Sequence, residues 1–303
     1  MTIAVLFPGQ GSQAPGMGAD LFDARPDLLG EAADAVLGWS LRDVCLDGPP
    51  EELTRTDRAQ PALFAVCYAL WEAVRDRIAG PPVAAAGHSL GEYTALAAAG
   101  ALSFADGLRL VAARGAAMQA AAHREPSGMA ALLGADPAAA EGMAAARRAG
   151  GGRLWVANVN APGQVVVAGG GEDLDWAARH AAEHGVRRVV PLQVAGAFHS
   201  PFMAPAVAPL RAALTGVSFS APAFPVWANT TAAPHVGDVA ATLLDQITSA
   251  VRFSATLAGM ADAGVTTFVH VGPGDVTAGL ARRSVQGAET VVVSSLGDLA
   301  ALP

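Results

Sequence analysis

The sequence predicts an α/β chain in two parts. One is a hydrolase-like core with a mainly parallel sheet and a nucleophile elbow; the other is an inserted ferredoxin-like α+β small domain. Three observations carry this. The apolar run Ile3–Phe7 breaks into the glycine-rich loop Pro8-Gly9-Gln10-Gly11-Ser12-Gln13, as a buried strand ending in a loop does. A second run, Val83–Ala86, enters Gly87-His88-Ser89-Leu90-Gly91 and then a helical stretch, Glu92–Ala99, which is the strand–turn–helix setting a G-x-S-x-G elbow requires. Between Ser127 and Val194 the pattern changes to β-α-β-β-α-β, the ferredoxin-like order.

The remaining elements follow along the chain. After the first loop the clearest helix is expected to start near Gln60, with Pro61 in its first turn, and to run to about Arg77. Another helix is expected over Ala105–Ala122. In the small domain Met129–Leu133 reads as a strand, and Asp136 with Pro137 forms an N-cap and first-turn pair for a helix to Arg148, which Gly150-Gly151-Gly152 ends. Strands Leu154–Asn158 and Gln164–Ala168 are joined across Ala161-Pro162-Gly163. A helix over about Asp173–Glu183 stops at Gly185, and Arg188–Leu192 is the last strand of the unit. The α/β pattern then resumes, with the strand Thr266–Val271 turning at Gly272-Pro273-Gly274 into a helix through Arg283. The expected division is therefore 1–126 with 195–303 as the large domain and 127–194 as the small one.

Composition narrows the chemistry. The chain has 303 residues, 52% hydrophobic and 15% charged, which is ample material for a buried core. Its net charge of −8 gives no general attraction to nucleic acid or anionic membrane. All 19 basic residues are Arg, so Schiff-base, pyridoxal-phosphate and Walker-loop chemistry, which need a Lys amine, are excluded. Cys45 and Cys67 form no disulfide framework, and Cys67 lies in the apolar run Ala62–Leu70 as a core residue. With no HExxH and no Cys/His cluster, no metal is expected. The N-terminal run lacks a basic flank and is too short for a signal peptide, and no 18-residue apolar stretch is present, so a cytoplasmic protein without membrane contact is expected.

The elbow makes Ser89 the candidate nucleophile, against the plainer reading of an ordinary polar residue at a helix entry. A serine hydroxyl needs a base, and histidine titrates in the right range. Of the seven histidines, His88 should point away from its neighbour, and His123, His180 and His184 fall on helix faces or ends. His235 follows Pro234 in a loop and His270 sits inside a strand. His199, in Gly196-Ala197-Phe198-His199-Ser200, lies where the chain re-enters the large domain, a common place for a cleft. Residue physics favours it without excluding the others.

Five motifs occur in order: Gly9-Gln10-Gly11-Ser12-Gln13, Gly87-His88-Ser89-Leu90-Gly91-Glu92-Tyr93, Arg114, Gly196-Ala197-Phe198-His199 and Asp245-Gln246-Ile247-Thr248-Ser249. Together they resemble the malonyl-CoA:acyl carrier protein transacylases of fatty-acid synthesis and the acyltransferases of polyketide synthesis, over essentially the whole chain. The resemblance implies that Ser89 carries the acyl group and His199 moves its proton, with the imidazole oriented by a backbone carbonyl near Gln246 rather than by a carboxylate. It implies an oxyanion hole from the backbone N–H groups of Gln10 and Leu90, and an Arg114 guanidinium that grips the free carboxylate of a malonyl group through paired hydrogen bonds. Without the resemblance Arg114 would read as a surface residue on a helix. Phe198 and Leu90 match the malonyl type; the methylmalonyl type usually has Ser before its His and Gln after its nucleophile, and a bulky Phe198 would crowd a 2-substituent. Malonyl-CoA would be the donor and the phosphopantetheine thiol of an acyl carrier protein the acceptor, with no permanently bound cofactor and a monomeric enzyme. Relatives commonly carry Lys after Gly-Pro-Gly, where this chain has Asp275, a reversal of charge. The pairs Arg147/Arg148, Arg187/Arg188 and Arg282/Arg283 are candidates for docking an acidic carrier or CoA phosphates.

Overall fold

The computed structural model describes residues 2–302. Its strands, in chain order, are β1 (Ile3–Phe7), β2 (Ala84–Gly87), β3 (Ser127–Leu133), β4 (Leu154–Ala161), β5 (Gln164–Gly170), β6 (Arg188–Pro191), β7 (Val226–Ala228), β8 (Ala233–Pro234), β9 (Thr267–Val271) and β10 (Glu289–Val293). They form two separate sheets. The first has the order β10-β9-β1-β2-β7-β8 and is parallel throughout except for the short edge strand β8. Strand β1 shows why its sequence is continuously apolar. Val5 and Phe7 face one cluster with the helix Thr56–Arg75, while Ala4 and Leu6 face another with Phe253, Leu257 and Phe268. A parallel strand covered on both sides has no polar face.

The sheet order brings distant loops together. β1 and β2 are neighbours, with Phe7 opposite Gly87, so the Gln10 loop and the Ser89 turn leave the same edge side by side. The carboxyl edge of a parallel sheet is where α/β proteins place their sites. The turn is closed to other residues: a Cβ on Gly87 would lie 1.8 Å from the Gly91 carbonyl carbon, and one on Gly91 would lie 2.3 Å from the Phe7 oxygen. Only glycine permits backbone approach this close.

The second sheet has the order β4-β5-β3-β6 and is antiparallel at every pairing. Along β3 the side chains alternate: Ala130 and Leu132 pack on the helices Pro137–Ala149 and Gly171–His180, while Met129 and Ala131 join the larger core. Irregularities in β4 at Val156/Asn158 and Val159/Ala161 interrupt its ladder with β5, and Asn158, while paired with Val166, also bridges to Val251 of the large sheet's body. Such bulges re-aim side chains, and both Asn158 and Asn160 line the cleft.

Asp136 caps its helix as expected, accepting from Ala139 N at 2.7 Å. One helix differs. Thr56–Arg75 begins four residues before Gln60, so Pro61 lies inside it rather than in its first turn, and it stops short of Arg77. The early turn is held from outside, because Gln119 of the helix Phe104–Ala122 accepts from Thr56 N at 3.0 Å. No local signal in the sequence encodes that contact.

Candidate active site

Ser89 sits at φ 54° between β2 and the helix Gly91–Ala98, a left-handed conformation uncommon outside glycine. Two side chains hold its backbone in place: Asn229 Oδ1 accepts from Ser89 N at 2.7 Å, and Gln246 Nε2 donates to Ser89 O at 3.0 Å. His199 is a second left-handed residue, at φ 56°. Its Nε2 lies 2.7 Å from Ser89 Oγ and its Nδ1 lies 2.9 Å from the Gln246 carbonyl oxygen. A carbonyl only accepts, so Nδ1 carries the proton and Nε2 presents a lone pair to the serine O–H. Burial, and then the Arg114 charge, push the His199 imidazole down to about 3, so it stands neutral and ready to accept a proton.

Arg114 projects from the helix Phe104–Ala122 into the same cluster and is only 1% exposed. Its Nη1 donates to Gln60 Oε1 at 2.7 Å; its Nη2 donates to Gln246 Oε1 at 2.9 Å and to Ser89 Oγ at 3.0 Å. The guanidinium lies 5.3 Å from the Tyr93 ring centroid, and its buried Nε has no partner among the described residues. None of these hydrogen-bond acceptors is a carboxylate. A buried cation served only by neutral acceptors has unmet demand for an anion.

These groups open onto a cleft of about 600 Å³ lined by Gln10, Ser89, Arg114, Phe198 and His199 from the large body, and by Met129, Asn158, Asn160, Gln164 and Val166 from the second sheet. The backbone N–H groups of Gln10 and Leu90 donate to no other group among the described residues. Leu90 is itself fully buried at the start of its helix, while Gln10 reaches the cleft wall. Gln246 stands behind the wall, buried. The structure thus gathers Ser89, His199, Arg114, Gln246, Gln10 and Phe198 around one point.

His88, His123, His180, His235 and His270 bond partners other than Ser89. His88 meets Asn160 Oδ1 at 2.8 Å, His270 bonds Thr277 and the Gly272 carbonyl, and His180 stacks on Trp176. Both cysteines are free and buried, and burial raises both thiols, that of Cys45 to about 12. Asp275 lies at the cleft rim with Arg283 and pairs with Arg282 at 3.4 Å. Arg147 and Arg148 are drawn to Asp173 and Glu141, both at 2.6 Å.

Four residues around the site were not singled out by sequence: Gln60, Glu92, Asn229 and His235. Glu92 is fully buried, accepting from Asn229 N and Gln246 Nε2 on one oxygen and from His235 on the other. Glu92 fell inside a recognised motif, and its nearness to Ser89 was the one available signal. Asn229 and His235 follow the short strands β7 and β8, where no spacing rule marks them.

A serine hydroxyl on a neutral imidazole, beside a guanidinium awaiting an anion, can take up an acyl group that carries its own carboxylate, and this defines the chain as an acyltransferase in class. The family described as acyl transferase domain matches residues 5–300. A malonyl CoA-acyl carrier protein transacylase of Bacillus subtilis (strain 168) is 39% identical, over 96% of this chain and 93% of its own length. The polyketide biosynthesis malonyl CoA-acyl carrier protein transacylase BaeC of Bacillus velezensis is 41% identical over 93% and 96%. Among solved structures, the malonyl-transacylase in complex with its type II polyketide-synthase acyl carrier protein, AntF, superposes with a TM-score of 0.93 at 34% identity, covering 99% of this chain and 98% of that one. The chain belongs to the malonyl-CoA:acyl carrier protein transacylase family.

Proposed function

We propose that this chain moves a malonyl group from CoA to the phosphopantetheine thiol of an acyl carrier protein through a malonyl ester on Ser89, with Ser89 and His199 as the catalytic dyad. Ser89 Oγ attacks the thioester carbonyl carbon while its proton passes to His199 Nε2. The oxyanion of the tetrahedral intermediate is received by the free N–H groups of Gln10 and Leu90; one such donor contributes about 10²–10³ in rate in serine enzymes. The C–S bond then breaks, and the CoA sulfur leaves with the proton that His199 returns. The carrier thiol repeats these steps in reverse order, giving its proton to His199 and leaving Ser89 free. Through both halves the Gln246 carbonyl holds the Nδ1 proton and stabilises the transient imidazolium.

The observation that carries the substrate is Arg114, a buried guanidinium next to Ser89 Oγ with only neutral hydrogen-bond acceptors. An acetyl group offers it nothing; a malonyl carboxylate supplies the anion. Phe198, buried at the cleft wall, favours malonyl over a 2-substituted group. The same reading takes residues 127–194 as a small domain that forms the opposite wall for the pantetheine arm, and residues 1–126 with 195–303 as the catalytic domain. Among the described residues no helix is long and apolar enough to cross a membrane.

Incubation with malonyl-CoA, followed by intact-mass measurement and peptide mapping, is expected to place one malonyl group on Ser89, and addition of holo carrier protein to discharge it onto the carrier. A Ser89→Ala chain is expected to take up none. Steady CoA release without carrier would instead make water the acceptor and the protein an acyl hydrolase.

A further inference from the structure

Glu92 lies three residues past Ser89 in the first turn of the helix Gly91–Ala98, fully buried and outside the cleft lining, so it touches no substrate. A carboxylate removed from water is tolerated only when its oxygens are well hydrogen-bonded. Glu92 Oε2 accepts from Asn229 N at 3.0 Å and from Gln246 Nε2 at 2.7 Å, and Oε1 accepts from His235 Nε2 at 2.8 Å. The side chains of Asn229 and Gln246 hold the nucleophile's backbone, alongside Glu92 N, which donates to Ser89 O at 3.2 Å, and Gln246 also bonds both His199 and Arg114.

The direction of the Gln246 amide is decided by these partners. Its Nε2 faces Ser89 O and Glu92 Oε2, with Asn229 Oδ1 at the longer distance of 3.5 Å, and its Oε1 therefore faces Arg114 Nη2. Reversed, the amide would set N–H against N–H at the guanidinium and turn its own oxygen toward two other oxygens, Ser89 O and Glu92 Oε2. The amide is also a spacer. It links a buried anion to a buried cation without letting the carboxylate occupy the guanidinium donors that a substrate carboxylate needs.

We propose that Glu92 is a positioning residue for acyl transfer: by fixing which end of the Gln246 amide faces Arg114, it keeps the guanidinium anchored beside Ser89 Oγ and open to the acyl carboxylate. The inference rests on the acyl-transfer reading of Ser89 and Arg114 and extends it to a residue that never meets the acyl group.

Three variants and two measurements test it. Labelling of Ser89 by a fluorophosphonate needs no acyl-CoA; the ratio of malonyl-CoA to acetyl-CoA loading reads the Arg114 clamp. In Glu92→Gln the new oxygen can take the place of Oε2, and the new NH₂ can face His235, which accepts at Nε2 once its proton moves to Nδ1, an atom with no other partner. This variant is expected to stay within about fivefold of the native chain in both measurements. Glu92→Met and Gln246→Met are expected to lower the malonyl-to-acetyl ratio by about tenfold or more, the loss of one hydrogen bond to a charged group. Gln246→Met keeps the Glu92 carboxylate and the main-chain carbonyl on His199, so it decides the matter if Glu92→Met does not fold. A native ratio in Gln246→Met, or equal loss of malonyl and acetyl loading there, overturns the proposal. So does a Glu92→Gln chain as impaired as Glu92→Met. If the native chain takes the fluorophosphonate but no malonyl, the substrate reading fails by itself. Glu92 is then judged by labelling alone: Glu92→Met at least about tenfold slower than Glu92→Gln supports positioning, and equal rates overturn it.

Discussion

The two sheets bury different things. At the carboxyl edge of the parallel sheet Glu92, Arg114, His199, Asn229 and Gln246 are all buried around Ser89. The core of the antiparallel sheet is Ala130, Leu132, Met143, Leu154, Val165 and Val167, and its one buried charge, Asp173, is answered directly by Arg147. Buried polar groups weaken a fold unless they are satisfied, and replacing them with apolar side chains often stabilises it. The parallel sheet therefore tolerates at its edge a buried polar cluster gathered around one hydroxyl. The antiparallel sheet carries no such load, and its contribution is shape: one face packs on its own helices, and the other supplies Met129, Val166, Asn158, Asn160 and Gln164 to the cleft. Chemistry and enclosure come from different layers of one molecule.

Substitutions in the two regions should then fail differently. The largest effect is expected from Arg114→Ala. Loss of two charge-assisted hydrogen bonds to the acyl carboxylate should lower malonyl loading about 10²–10³-fold, while acetyl loading falls far less. Competition between malonyl-CoA and acetyl-CoA, read by the mass of the acylated chain, measures this directly; unchanged malonyl preference would remove Arg114 from its role. The antiparallel core should show the opposite profile. Leu132→Ala is expected to lower stability by about 2–5 kcal/mol, as cavities in packed cores do. Below the lowered melting temperature its acylation rate should stay close to native. A denaturant titration paired with single-turnover loading separates the two quantities, and a large rate loss without loss of stability would mean that enclosure and chemistry are not divided between the sheets.

The parts of this division that the sequence made legible are those written in local pattern. β1, the elbow and the β-α-β-β-α-β run each sit within a window whose apolar spacing and glycines are fixed by the element they form. Ser89 was visible for the same reason, since a side chain at Gly87 would strike the Gly91 backbone and one at Gly91 would strike that of Phe7. His199 and Arg114 were not settled by residue physics. One was a loop histidine among seven and the other an arginine on a helix, and the resemblance to a family supplied their expected roles. Asn229, Gln60 and His235 carried no signal, because what they do depends on side chains brought together from 17 to 143 positions away. The start of the helix at Thr56 was hidden likewise by its contact with Gln119. Local pattern encodes elements, and the polar network under Ser89 exists only after they are packed.

The smallest effect expected is on pH dependence, and it too separates the buried centre from an ordinary surface. A histidine in the unfolded chain titrates near about 6.5, whereas burial and then the Arg114 charge hold His199 at about 3 in the folded one. Between those values the unfolded chain binds a proton at this position and the folded chain does not. The contribution of His199 to stability is thus complete above about 6.5 and is lost as pH falls toward about 3. Catalysis follows a different course over the same window. Nε2 must be unprotonated to accept the serine proton, so single-turnover acetyl loading by the native chain should be level from about pH 8 down to about pH 5, where a solvated histidine base would already be mostly protonated. Removing the Arg114 charge can only raise the His199 value. Acetyl loading by Arg114→Ala should therefore begin to fall at a higher pH than in the native chain, and an acid limb that moved the other way would mean that the guanidinium does not act on the imidazole.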